Sequence, residues 1–167
     1  MITIRRISAD DALLLREVRL RALSDSPGAF GSTYAREVAF DTGEWESRAR
    51  IRSTSKDEAT FLAFDDQSCV GIIGCFVDPK EPALANIVSM WVAPEARMKG
   101  MGRQLLQAAE DWARRRELSQ LALDVVENNA CAIAFYRRYG FEFTGQTDQH
   151  PNDPTLRELL MIRAIRP

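Results

Sequence analysis

The chain has 167 residues, with 22 Lys and Arg against 24 Asp and Glu, a formal net charge of −2 and a single histidine. That length suits one domain spanning residues 1–167. The 46% hydrophobic and 28% charged content is that of a globular chain, which excludes disorder. One histidine removes every two-histidine metal site, so no metal is expected, and the near-neutral charge argues against a nucleic-acid partner.

Ile2, Ile4 and Ile7 open the chain as a strand. Ser8 followed by Asp11 reads as a helix start, and Leu14, Leu15, Val18 and Ala22 carry the helix to about Leu23, where Ser26-Pro27-Gly28 stops it. Residues 29–56 are mixed, with helix starts at Gly31-Ser32-Thr33 and Thr42-Gly43-Glu44 around the aromatics Phe30, Tyr34, Phe40 and Trp45. Strands are predicted over 59–64, 69–77 and 84–92, the first two joined by the Asp65–Ser68 turn. The longest apolar run, Cys69–Val77, is too short to span a membrane, and Met1–Arg6 lacks the apolar stretch of a signal peptide. Cys69, Cys75 and Cys131 match no zinc or redox spacing and read as reduced, mostly buried thiols, which fits a cytoplasmic location.

The period then changes to helical over 101–117, with Leu105, Leu106, Ala109, Trp112 and Ala113 on one stripe and Arg114–Arg116 at the negative end of the dipole. A buried strand over 121–126, a short helix over 130–139 capped by Gly140, and strands over 141–144 and 156–165 complete the chain. Strand 84–92, helix 101–117 and strand 121–126 form a right-handed crossover with parallel strands. The order is β-α-α-β-β-β-α-β-α-β-β, an α/β class of α+β type with a mixed, mostly antiparallel sheet.

Between that crossover's first strand and its helix lies Arg97-Met-Lys99-Gly100-Met-Gly102-Arg103. Glycines admit close backbone approach and positive φ, and the free N–H groups of a helix start attract anions. No Gly-Lys-Ser/Thr follows, so this is not a P-loop, and Leu105 stands where a dinucleotide fingerprint needs its third glycine. Two readings stay open on these residues alone: a pyrophosphate cradle, or a tight strand-to-helix turn with solvated basic residues around it.

Arg97-x-x-Gly100-x-Gly102 after Met90-Trp91-Val92, followed by Leu123-Asp-Val125, Asn129-x-x-Ala132-Ile133-x-Phe135-Tyr136 and Tyr139-Gly140-Phe141, resembles the GNAT superfamily of CoA-dependent N-acyltransferases. The resemblance implies that strands 84–92 and 121–126 splay apart at the cofactor site. It implies acetyl-CoA as cosubstrate, held by Trp91, Val92, Arg97, Met98, Lys99, Gly100, Met101, Gly102 and Arg103, and further by Asn129, Ala132, Phe135 and Tyr136. The expected reaction moves an acetyl group to a primary amine, on a small molecule or a peptide, by direct attack. A backbone N–H near Val92 would serve the thioester oxygen, and Tyr136 would protonate the leaving thiolate.

The base has no obvious owner. Strand 84–92 carries no carboxylate, which leaves a water held by Asn86 or Ser89, Glu37 beyond the first helix, or Asp124 on strand 121–126 as candidates. Phe30 and Tyr34, with Phe40 and Trp45, are read either as an acceptor wall or as core aromatics. His150 is placed in a polar surface loop and Cys131 is taken as a packing residue. A CoA-binding sensor without catalysis is the alternative function. Strand 156–165 is read as an edge able to pair with a second copy, making a homodimer; no membrane partner is expected.

Overall fold

The structure, a computed structural model, describes residues 1–166. Five helices of more than one turn or so flank a seven-stranded sheet: β1 (Ile2–Arg6), α1 (Ala12–Asp25), α2 (Tyr34–Val38), α3 (Thr42–Thr54), β2 (Glu58–Asp65), β3 (Ser68–Val77), β4 (Leu84–Val92), α4 (Met101–Arg115), β5 (Gln120–Val126), α5 (Ala130–Tyr139), β6 (Glu142–His150) and β7 (Asp153–Ala164). Short 3₁₀ turns sit at Pro27–Ala29 and Pro94–Ala96. The strand order is β1-β2-β3-β4-β5-β7-β6, and only β4 and β5 run parallel. The mixed, mostly antiparallel sheet is therefore the one expected from the alternation of elements.

The mixed segment 29–56 resolves into two helices, one more than the sequence pattern separates. Thr33 caps α2 by accepting from the Arg36 N–H at 3.2 Å, and Asp41 caps α3 by accepting from the Glu44 N–H at 2.8 Å. Ser8 does not cap α1. Its N–H and hydroxyl donate to the Asp11 carboxylate at 2.7 and 2.9 Å, closing a turn just before the helix begins at Ala12.

The predicted stripe of α4 is buried as one row: Leu105, Leu106, Ala109, Trp112 and Ala113 pack on β1–β4. Each fully buried leucine there contributes about 2 kcal/mol. The same face carries a group that periodicity does not reveal. Glu110 is 1% exposed and accepts from the Tyr139 hydroxyl at 2.9 Å and from Arg163 at 3.3 Å, with Arg114 also bonded to it. Arg163 also donates to the Tyr139 carbonyl, so one carboxylate ties α4, α5 and β7 together.

Two expectations about the C-terminal strands are corrected. The polar stretch 148–154 is no surface loop: β6 continues to His150, a turn occupies Pro151-Asn152, and β7 starts at Asp153. His150 is 4% exposed. Strand 156–165 is not an edge either, because β7 lies between β5 and β6; the edges are β1 and β6.

Glu110→Ala should lower stability by about 3 kcal/mol, because two arginines and a tyrosine hydroxyl lose their common acceptor. Urea denaturation checks this as a lower midpoint with an unchanged slope.

Candidate active site

The site begins where β4 and β5 part. They pair only at Leu84–Gln120, Ala85–Leu121 and Asn86–Ala122. On its other side β4 pairs β3 with a register shift: Ile72 faces Trp91 and Gly74 faces Val88, so Ser89 and Met90 together oppose Ile73. This is a bulge, and Ser89 takes φ +56 within it. A bulge bends its strand, so β4 turns away from β5 and the facing backbone groups of both strands are left without a strand partner.

The gap opens into a cleft of about 1440 Å³, large enough for a drug-sized or larger ligand. Trp91, Val92, Arg97, Met98, Gly100, Met101, Gly102 and Arg103 line one end; Asn129, Ala132, Phe135 and Tyr136 line it from β5 and α5. Gly100 takes φ +79 and precedes the first helical hydrogen bond of α4, from Gln104 N–H to the Gly100 carbonyl at 3.2 Å. The N–H groups of residues 101–103 thus precede that ladder and offer donors at the positive end of the helix dipole. A Cβ at Gly102 would stand 3.2 Å from Phe135 and 3.3 Å from Met90, so glycine keeps the cradle open.

The basic residues of the loop divide. Arg97 donates to the Val92 carbonyl at 2.9 Å and to Asp25 at 2.6 Å, and Asp25 also accepts from the Trp91 indole at 2.9 Å. Arg97 therefore braces the loop against α1. Lys99, expected to line the cradle, is directed away and pairs with Asp65 at 3.2 Å, at the end of β2. Arg103 lines the cleft, with its guanidinium 5.9 Å from the Tyr139 ring. Asn129 turns its side-chain oxygen to the Ala132 N–H at 3.1 Å, capping α5.

Tyr136 is 9% exposed, lines the cleft, and its hydroxyl makes no hydrogen bond with the described residues. Burial pushes its phenol well above the ordinary range, so it stays protonated at neutral pH. Cys131, expected to be packed, is exposed on the cleft rim.

The other end of the cleft is built by α1–α3 and the β6–β7 turn. Phe30 is buried and lines it beside Phe40, Arg36 and Pro151. Tyr34 does not: it is 46% exposed at the start of α2 and faces solvent, while Trp45 is buried in the core. Glu37 is 1% exposed and accepts from Arg19 through both oxygens at 2.9 Å. Burial raises its pKa, but the two bonds and the charge of Arg19 outweigh burial and hold it below the ordinary value. Arg19 also donates to the Ser89 hydroxyl at 2.6 Å, so one guanidinium joins α1, α2 and the β4 bulge. A carboxylate so engaged is a poor proton acceptor, and the Ser89 hydroxyl is occupied by the same guanidinium. Asp124, the third candidate base, lines the cleft together with its neighbours Leu123 and Val125. Glu158 of β7, which no sequence signal distinguishes from other strand carboxylates, lines it as well.

The model of the acetyltransferase (GNAT) family matches residues 22–141. The chain belongs to that family. Mycothiol acetyltransferase of Rhodococcus jostii is 32% identical over 112 residues, 61% of this chain and 37% of that protein. The chain spans about a third of the length of the first curated relatives it matches. A GNAT-family acetyltransferase of Streptococcus pneumoniae superposes over 99% of both chains with a TM-score of 0.82 at 22% identity. A putative acetyltransferase of Salmonella typhimurium, solved with acetyl-CoA, covers 98% of this chain and 93% of its own with a TM-score of 0.79 at 20% identity. The GNAT fold thus accounts for the whole described chain, and the parted β4–β5 pair lies inside the matched segment.

Glu37→Gln should destabilise the protein by about 3 kcal/mol at pH 7, since Arg19 loses a buried partner. Because the folded pKa of Glu37 lies below 4.5, the stabilisation is fully present above that value and is lost as pH falls through the folded pKa. The melting temperatures of parent and variant should therefore converge in strong acid, which a pH series of thermal melts measures.

Proposed function

We propose that the protein is an acetyl-CoA-dependent N-acetyltransferase acting on a primary amine. The observation that carries this reading is the cleft: a glycine-lined helix start at one end, an unpaired β4 edge in the middle, and Tyr136 against the same space. The first turn of α4, with Arg103, suits a pyrophosphate. The open edge of β4 suits an amide-bearing arm lying as an added strand. Acetyl-CoA joins these two chemistries in one molecule, and supplies the activated acyl group.

The residues then divide the work. A backbone N–H of β4 near Val92 is the donor assigned to the developing oxyanion. The amine nitrogen attacks the thioester carbon, the C–N bond forms and the C–S bond breaks. Tyr136 gives its proton to the sulfur and regains one from the nitrogen. Its raised pKa favours this concerted handover over free proton release. No carboxylate of β4 assists, in keeping with the strand's sequence. Met98, Met101, Ala132 and Phe135 supply apolar surface around the arm. Phe30 stands on the acceptor side.

A sensor that binds CoA without catalysis has less support, because it leaves the unpartnered Tyr136 hydroxyl without a task. Free-thiol release from acetyl-CoA with a panel of amines separates the two readings. Tight binding with no release beyond hydrolysis would favour the sensor.

Tyr136→Phe should lower kcat at least about tenfold with acetyl-CoA affinity unchanged, measured by thiol release and calorimetry. Gly102→Val should weaken acetyl-CoA binding at least about tenfold, because the branched side chain enters the cradle against Phe135 and Met90.

A further inference from the structure

The acceptor end of the cleft holds a group of side chains without a structural task. Asp124 pairs Leu160 and Val126 pairs Glu158, so Asp124 and Glu158 are diagonal neighbours on one face of the sheet. Both line the cleft. Asp124 lies two residues past Ala122, the last β5 residue paired to β4, at the throat of the gap. Neither carboxylate has a hydrogen bond or an Arg or Lys partner among the described residues, whereas Glu37, the other acid lining the cleft, is held by Arg19 through both oxygens.

Behind them sits the only histidine. Its Nδ1 accepts from the Asn152 N–H at 3.2 Å, which leaves the proton of the neutral ring on Nε2. That nitrogen is fully buried, has no hydrogen-bond partner, and lies 3.9 Å from Glu158 Oε1. The turn that carries it is fixed on the acceptor side: Asn152 donates to the Phe30 carbonyl at 3.4 Å. A buried, unpartnered N–H is costly, and one beside a cleft carboxylate is explained by a charge that forms there.

We propose that Asp124 and Glu158 together seat the acceptor ammonium and take its proton, with His150 as the positioning residue behind Glu158. This rests on the acyl-transfer reading and names the proton acceptor that reading lacks. R–NH₃⁺ gives one proton to the pair and becomes the nucleophile. The nitrogen's second proton leaves through Tyr136 to sulfur as the amide forms, and the pair returns its proton to solvent. The environment favours this task. Burial raises both acids, Asp148 raises Asp124 further, and the charge of Asp124 raises Glu158 further against the opposing effect of His150. The titratable groups facing Glu158 are Asp124 from β5 and Asp148 and His150 from β6; Arg138 of α5 lines the same cleft. A carboxylate raised toward neutrality is a better base than one held low, as Glu37 is.

The test measures thiol release from acetyl-CoA between roughly pH 6 and 10, with l-amino acids, 1,4-diaminobutane and a tetrapeptide bearing a free N-terminus as acceptors. Glu158→Gln and Asp124→Asn should each lower kcat/KM for the best acceptor about thirtyfold at neutral pH, and the double variant about a hundredfold, less than the product, because the two act as one unit. The losses should shrink as pH approaches the amine's own pKa, with acetyl-CoA affinity and melting temperature near the parent's. His150→Phe should move the acid limb of the pH profile upward, because Glu158 loses the N–H that favours its ionised form, and His150→Gln should restore it. If both carboxylate variants keep kcat/KM within about twofold and the same pH profile, this inference falls while the acyl-transfer reading stands. A misfolded single variant leaves the other carboxylate and the wild-type pH profile to decide, since an acid limb lying in the ordinary carboxylate range also overturns it. If the parent releases no thiol with any acceptor, the acyl-transfer reading itself falls and takes this inference with it.

Discussion

Everything that distinguishes the site follows from the early parting of β4 and β5. Two parallel strands that begin to pair would ordinarily continue, because each further residue satisfies backbone donors and acceptors that are costly to bury alone. Here pairing stops after Asn86–Ala122. The bulge at Ser89–Met90 gives β4 one residue more than β3 opposes, and the strand bends away. The molecule keeps unpaired backbone in a central strand pair, and a ligand that lies in the gap satisfies it.

The rest of the architecture holds that opening in shape. Arg19 binds Glu37 with both ends of its fork and the Ser89 hydroxyl with its remaining arm, so the helices of the acceptor side are fastened to the bulge itself. Arg97 and Trp91 converge on Asp25, fastening the phosphate-loop side to the same helix α1. Glu110 anchors the far end of α4 to α5 and β7. Three acids in separate places thus act as struts: Glu37 and Glu110 are buried, and Asp25 stands at the surface end of α1 with two donors on one oxygen. With Arg97 held by Asp25 and Lys99 by Asp65, the helix start and Arg103 are the groups left to meet an anion.

Charge is divided across the cleft in a way that suits amine acetylation. Glu37 is held ionised by Arg19, whereas Asp124 and Glu158 have no Arg or Lys partner and are raised by burial, Asp124 further by the charge of Asp148 and Glu158 further by that of Asp124. The proposed division of labour uses that contrast. An acid held low fixes structure; acids held high, beside a buried histidine, exchange protons. In that proposal the protonated phenol of Tyr136 serves the other side of the reacting centre.

The sequence by itself determined the element order apart from the division of residues 29–56 into two helices, the buried stripe of α4, the glycine-bearing helix start and the strand-to-α5 motif ending in Tyr136. Those depend on local periodicity, turn residues and short spacings, which are properties of neighbouring positions. Only the tertiary structure decided which way Lys99 points, that Tyr34 faces solvent, that Glu37 is neutralised by Arg19, and that His150 is buried behind Glu158. Each of these is set by a residue many positions away on another strand or helix. Alternation along a strand states that side chains take turns between two faces, but strand pairing chooses the neighbours across it. The single histidine, which first served to exclude two-histidine metal sites, acquired its place only when β6 was found to run on to it and the β6–β7 turn packed against Phe30.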